Sequence, residues 1–143
     1  MRPTSGSSGH VLLDTSAAIA LILPEHEQHG TAMSAALGRR LGLSGHAAFE
    51  TFSVLTRLPA PLRRTPQAAK RLIASDFPET RFLSIERAAA LLESLPAYGI
   101  AGGAVYDALV GAAALEHELT LVTLDRRALG SYHRLGVAVE FLS

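Results

Sequence analysis

The sequence predicts an α/β protein of three layers, a central parallel sheet of four to five short strands flanked by helices. Three observations carry that prediction. Apolar runs of three or four residues alternate with longer helical stretches along the chain, the pattern of strands joined by crossover helices. At 143 residues the chain suits one domain, which would bury roughly two thirds of its unfolded surface. Hydrophobic residues make up 48% of it and mean hydropathy is +0.24, which excludes a disordered chain.

Residues 1–9, MRPTSGSSG, read as a flexible leader or a cloning remnant, leaving 10–143 as the domain. Val11-Leu12-Leu13 is a short buried strand ended by a polar cluster. Thr15 or Ser16 can cap a helix over Ala17–Leu23, which Pro24 stops. Glu25–Leu37 reads as a second helix closed by Gly38, and Arg40–Leu43 as a second strand. Ala47–Leu58 is a helix ended by Pro59-Ala60-Pro61. Pro66 opens another, reaching about Ala74. Arg81–Leu83 is expected as a third strand, after which Ser84 starts a helix to about Leu95. Pro96–Gly103 is a loop holding three glycines, followed by a helix from Ala104 to Glu118. Thr120–Thr123 is a strand, Asp125–Leu129 a short helix and Val137–Phe141 the last strand. There is no internal repeat.

Several classes are excluded at once. No apolar run approaches the roughly 20 residues of a membrane helix, and no membrane partner is expected. The absence of cysteine rules out disulfides and zinc–cysteine sites and fits a cytoplasmic location. A formal net charge of +0 gives no global field for nucleic acid. Locally the balance differs. No acid occurs from Thr51 to Ser75, where Arg57, Arg63, Arg64, Lys70 and Arg71 fall, so this is either a solvated helical face or an anion-binding edge.

The acids carry the chemistry. Of the four aspartates, Asp76 stands apart, while Asp14 and Asp125 follow apolar strands and Asp107 lies in the first turn of a helix after Gly102-Gly103. Ligands of open α/β sheets bind at the carboxyl ends of strands, so Asp14 and Asp125 would share a crevice if their strands are neighbours. Glu50 interrupts the apolar helix Ala47–Leu58, on a polar stripe with His46, Ser53 and Arg57. Each has a plainer explanation: a helix cap for Asp14 or Asp125, the helix dipole for Asp107, a pairing with Arg57 for Glu50. Taken together, converging carboxylates repel one another unless a cation neutralises them. An oxygen-only set suits Mg2+ or Mn2+ better than zinc. His26 and His29 lie in a Glu/Gln-rich stretch that reads as solvated; His46, one turn from Glu50, is a candidate substrate contact.

Val11-Leu12-Leu13-Asp14-Thr15-Ser16, Glu50, Tyr106-Asp107-Ala108-Leu109-Val110 and Thr123-Leu124-Asp125-Arg126-Arg127-Ala128, in this order and spacing, resemble the PIN-domain ribonucleases. More narrowly, the chain resembles VapC-type toxins of bacterial toxin–antitoxin pairs, over about residues 10–143. The resemblance implies a PIN-like fold and a four-acid site of Asp14, Glu50, Asp107 and Asp125 that is both metal-binding and catalytic. Ser16 matches the family's small hydroxyl residue after the first acid. Thr123 matches the residue ahead of the last acid, and Thr15 joins these two as a supporting group. Gly102-Gly103 departs from the more polar residues of many relatives. Mg2+ (or Mn2+) is the implied cofactor and RNA the implied substrate, its backbone tracked by Arg57, Arg63, Arg64, Arg126 and Arg127. The implied partners are a cognate VapB-type antitoxin and a second copy of the chain, forming a homodimer and a heterotetramer or larger assembly with the antitoxin.

Other classes fit less well. A haloacid-dehalogenase-like domain needs a second aspartate where Ser16 stands. A receiver-like domain needs a late lysine, and Lys70 is mid-chain; a dinucleotide binder needs a glycine-rich turn after Leu13. A non-enzymatic module whose acidic pocket receives a partner's arginine is the remaining alternative.

Overall fold

The computed structural model describes residues 9–143, so residues 1–8 of the expected leader lie outside the described residues. Four strands form the sheet: β1 (His10–Leu13), β2 (Arg40–Leu43), β3 (Thr120–Thr123) and β4 (Val139–Phe141). All pair in parallel, in the order β2-β1-β3-β4. Seven α-helices are described: α1 (Thr15–Ile22), α2 (His29–Ala36), α3 (Ala47–Thr56), α4 (Pro66–Asp76), α5 (Ile85–Tyr98), α6 (Ala104–Glu116) and α7 (Leu129–Leu135). The expected three-layer α/β fold is the one observed.

Period-two alternation along the strands builds both outer layers. Leu12 and Leu121 point into one core with Leu91, Ala108, Val110, Ala114 and Tyr132 from α5, α6 and α7. Val11, Leu13 and Val122 point into the other with Ala17, Ala18, Leu43 and Phe77. Each fully buried leucine contributes on the order of 1.5–3 kcal/mol. The connection from β1 runs through α1 and α2 to β2 on one side, whereas β3 pairs on the other. The carboxyl ends of β1 and β3 therefore flank a topological switch point, where α/β sheets open a crevice.

Several boundaries differ from expectation for physical reasons. Asp14, rather than Thr15 or Ser16, caps α1, accepting from the Ala17 amide at 3.1 Å. The helix expected from Glu25 starts only at His29, because the His26 ring takes the Gln28 amide at 3.0 Å and diverts the backbone into turns. Pro96 does not end α5; it sits in the last turn, which Gly99 closes at φ +67°. The expected short helix at Asp125–Leu129 is a 3-10 turn over Arg126–Ala128 that runs on into α7.

Arg81–Leu83 is not a strand. A single parallel bridge joins Arg81 to Ser44, and the Leu43 amide is taken by the Thr80 hydroxyl at 2.9 Å, which interrupts the ladder. This segment presses on β2 so closely that a Cβ on Gly42 would stand 2.1 Å from the Glu79 carbonyl oxygen. Among the described residues no helix is long and apolar enough to cross a membrane.

Candidate active site

The site starts where β1 ends. Asp14 is 4% exposed, one residue past Leu13, and its carboxylate receives four hydrogen bonds. Oδ1 accepts from the Ser16 hydroxyl at 2.6 Å and the Ala17 amide at 3.1 Å. Oδ2 accepts from the Thr123 hydroxyl at 2.5 Å and the Tyr132 phenol at 2.9 Å. Burial pushes the Asp14 carboxyl above the ordinary aspartate value, and these four donors pull the other way.

Two of the donors also join β1 to the exit of β3. The Ser16 hydroxyl accepts from the Leu124 amide, and the Thr123 hydroxyl from the Asp125 amide, both at 2.9 Å. Each short side chain thus satisfies a backbone donor with one lone pair and holds Asp14 with its proton. Neighbouring registers, Leu13 opposite both Leu43 and Val122, place the two strand ends side by side.

The other acids come from separate elements. Glu50, half-buried in α3, accepts from the Thr15 hydroxyl at 3.0 Å, while Arg57 turns instead to Ser53. Asp107 lies in the first turn of α6. Its carboxyl is raised by burial first, then by the charges of Asp125 and Glu50, with Asp14 adding and Arg127 opposing. Asp125 accepts from the Arg127 amide at 3.0 Å and pairs with the Arg127 guanidinium at 3.2 Å. Both cap readings thus hold for Asp14 and Asp125, alongside their position at the crevice.

The residues fit a hard divalent cation in kind. Three of the carboxylates act on the fourth, Asp107; all four offer only oxygen, and one described cation, Arg127, opposes them. As placed, no three histidine, aspartate or glutamate groups among the described residues lie close enough to hold an ion jointly. Loading would have to draw the carboxylates together.

The remaining expected contacts are scattered. His46, one turn before Glu50, stacks on Tyr106, the residue before Asp107, with ring centres 5.2 Å apart. Arg126 lies over the Phe141 ring at 4.8 Å. Arg63 binds the Leu58 carbonyl at 2.8 Å and Arg64 the Leu62 carbonyl, so both close the turn after α3. Among the described residues, Arg127 is the one arginine touching any of the four acids. His26 and His29 bind local backbone and make no pair. Tyr132 escaped the sequence reading, because a tyrosine in a short glycine-containing segment carries no signal of its partner 118 residues away.

Against known proteins, the family model described as PIN domain matches residues 11–133. This chain belongs to the PIN-domain family. Ribonuclease VapC27 of Mycobacterium tuberculosis (strain H37Rv) is 44% identical over 127 residues, covering 89% of this chain and 93% of that protein. Ribonuclease VapC40 of M. tuberculosis (strain CDC 1551) is 41% identical over 132 residues, covering 91% and 97%. These place the chain in the VapC type of the PIN family. A chain in the crystal structure of VapBC2 from Rickettsia felis, bound to a DNA fragment from their promoter, superposes with a TM-score of 0.66 at 16% identity. It covers 94% of this chain and 99% of that one, and shows the shared fold.

Proposed function

We propose that this PIN-domain protein is the toxin of a toxin–antitoxin pair, an endoribonuclease that hydrolyses RNA phosphodiester bonds with Mg2+, which Mn2+ can replace. Asp14, Glu50, Asp107 and Asp125 would hold the ion. The observation that carries the reading is the hydrogen-bonded frame at the ends of β1 and β3, where Thr15 bonds Glu50 and Thr123 bonds both Asp14 and the Asp125 amide, with Asp107 near enough for their charges to raise its carboxyl. Mutual repulsion of this kind is released when a cation binds between the groups. The VapC-named relatives, both called ribonucleases, support the reaction class.

When bound, such an ion lowers the pKa of a water and stabilises charge on the scissile phosphate and leaving oxygen. The protein's own groups do the rest. Asp14 is held by four donors and cannot turn away. Glu50 is steadied by Thr15. Glu50 or Asp107 would orient an attacking water. The His46–Tyr106 stack offers an exposed aromatic face, Tyr106 being 52% exposed, on which an unpaired base can lie. Arg57 is exposed and bonded only to the exposed Ser53 hydroxyl, so it can follow the backbone, whereas Arg63, Arg64 and Arg126 are engaged with the backbone or a ring and serve it less.

The proposed partners fit two apolar surfaces. Met33 and Leu37 (50% and 83% exposed) flank a groove with Leu21 and Leu41 suited to a VapB-type antitoxin segment. Ile85 and Leu92 on α5 (85% and 71% exposed) suit a second copy of the chain.

The deciding experiment incubates purified protein with single-stranded RNA and Mg2+. Cleavage should stop with EDTA, return with excess Mg2+ or Mn2+, and fall at least about 100-fold in Asp14→Asn. An Asp14→Asn protein as active as wild type would sink the assignment.

A further inference from the structure

A phenol in an apolar core needs a reason that a benzene ring does not. Tyr132 is 1% exposed and packs among Leu12, Val110, Leu121 and Leu135, where phenylalanine would fill the space. Its hydroxyl has one described partner, Oδ2 of Asp14 at 2.9 Å. Burying an unpaired hydroxyl is costly, so the position makes sense only if the phenol and the carboxylate are kept together.

The donors on Asp14 divide by their place in the chain. Those on Oδ2, Thr123 and Tyr132, are 0% and 1% exposed. Those on Oδ1 are the amide of Ala17, also 0% exposed, and the hydroxyl of Ser16, which is part-exposed. Oδ2 is therefore held by two buried side chains from the last third of the chain, and Oδ1 by the first turn of α1. The anchor is itself positioned, since the Tyr132 ring lies against Gly111 of α6, where a Cβ would come within 3.1 Å of Cδ1. Helix α7 thus reaches through the core to set the orientation of a side chain at the end of β1.

We propose that Tyr132 is a positioning residue for the four-acid site, fixing Oδ2 of Asp14 so that the carboxylate is held in one orientation toward a divalent cation. This rests on the four-acid reading above. Groups that orient metal-binding side chains typically change metal affinity or activity by about 10- to 100-fold when lost.

The test measures Mn2+ binding to the full chain without RNA, by electron paramagnetic resonance of free Mn2+. Tyr132→Phe should bind Mn2+ about 10-fold more weakly than wild type while its unfolding midpoint stays within a few degrees. In an Asp14→Asn background the same substitution should add no further loss, because the two groups act through one contact. In RNA cleavage, Tyr132→Phe should lose kcat at low Mn2+ and recover it at high Mn2+, with KM for RNA unchanged. A purely packing role would show no such rescue. Gly111→Ala, which keeps the phenol but crowds its ring, should weaken Mn2+ binding by a smaller factor. It decides the matter if Tyr132→Phe fails to fold. Unchanged or tighter Mn2+ binding in the folded variant overturns the proposal. Wild-type protein that binds no Mn2+ overturns the four-acid reading itself, and this inference with it.

Discussion

Asp14 and Asp107 both hold their protons more tightly than an ordinary aspartate, but for different reasons. Burial dominates at Asp14 and four donors oppose it; at half-buried Asp107, burial acts together with the charges of its neighbours. The sign follows from linkage. A carboxyl raised in the folded state lends stability below the ordinary aspartate value of 3.8, and that stability is lost as pH rises through the raised folded value. The metal-free protein should therefore lose stability from these groups as pH rises above 3.8. Asp107→Asn should raise the neutral-pH unfolding midpoint in EDTA, and calorimetry showing a lower midpoint would contradict it. The same variant should lose RNA cleavage by at least about 100-fold, so stability and activity move in opposite directions. At this scale the acids were legible because each breaks an apolar pattern. Tyr132 was not, since its hydroxyl acquires meaning only when α7 packs behind β1.

Strands β1, β2 and β3 were readable within a residue, because each is a short apolar run bounded by polar or glycine residues. The segment after α4 misled for a specific reason. Arg81-Phe82-Leu83 alternates like a strand, yet Phe82 is 54% exposed and a side-chain hydroxyl, which no pattern reveals, replaces the backbone acceptor. The same segment yields a prediction. Gly42→Ala would drive a methyl group into the Glu79 backbone, which cannot rotate aside. It should destabilise the fold by about 1–3 kcal/mol, read as a lower urea midpoint. A variant as stable as wild type would show that the segment is free to lift away. Helix α7 was missed because Gly130 and Ser131 dilute its helical signal within seven residues.

For the molecule as a whole, the fold class was legible from alternation alone, but the strand order was not. Nothing local states that β3 rather than β2 lies on the far side of β1, and the crevice depends on it. Surfaces are similarly hidden, since an apolar residue on a helix reads as core until packing leaves it outside. Ile85 and Leu92 lie on α5 two turns apart, and Phe49 and Phe82 meet nearby with ring centres 6.0 Å apart. If a second copy covers this region, the wild-type protein should run as a dimer in light-scattering chromatography and Ile85→Asp as a monomer with an unchanged unfolding midpoint. A monomeric wild type would assign that surface elsewhere.

The anchoring of Asp14 by residues 109 and 118 positions further on also has a temporal meaning. At translation speeds of 5–20 residues per second, Asp14 waits roughly 6 to 24 s for Tyr132 to be synthesised. Until then α7 does not exist to pack behind the centre of the sheet, and a ribosome-bound or prematurely terminated chain carries the acids without their full framework. If the protein does cut RNA, its own messenger and the ribosome translating it are shielded by the order in which the polypeptide emerges, before any partner protein is needed.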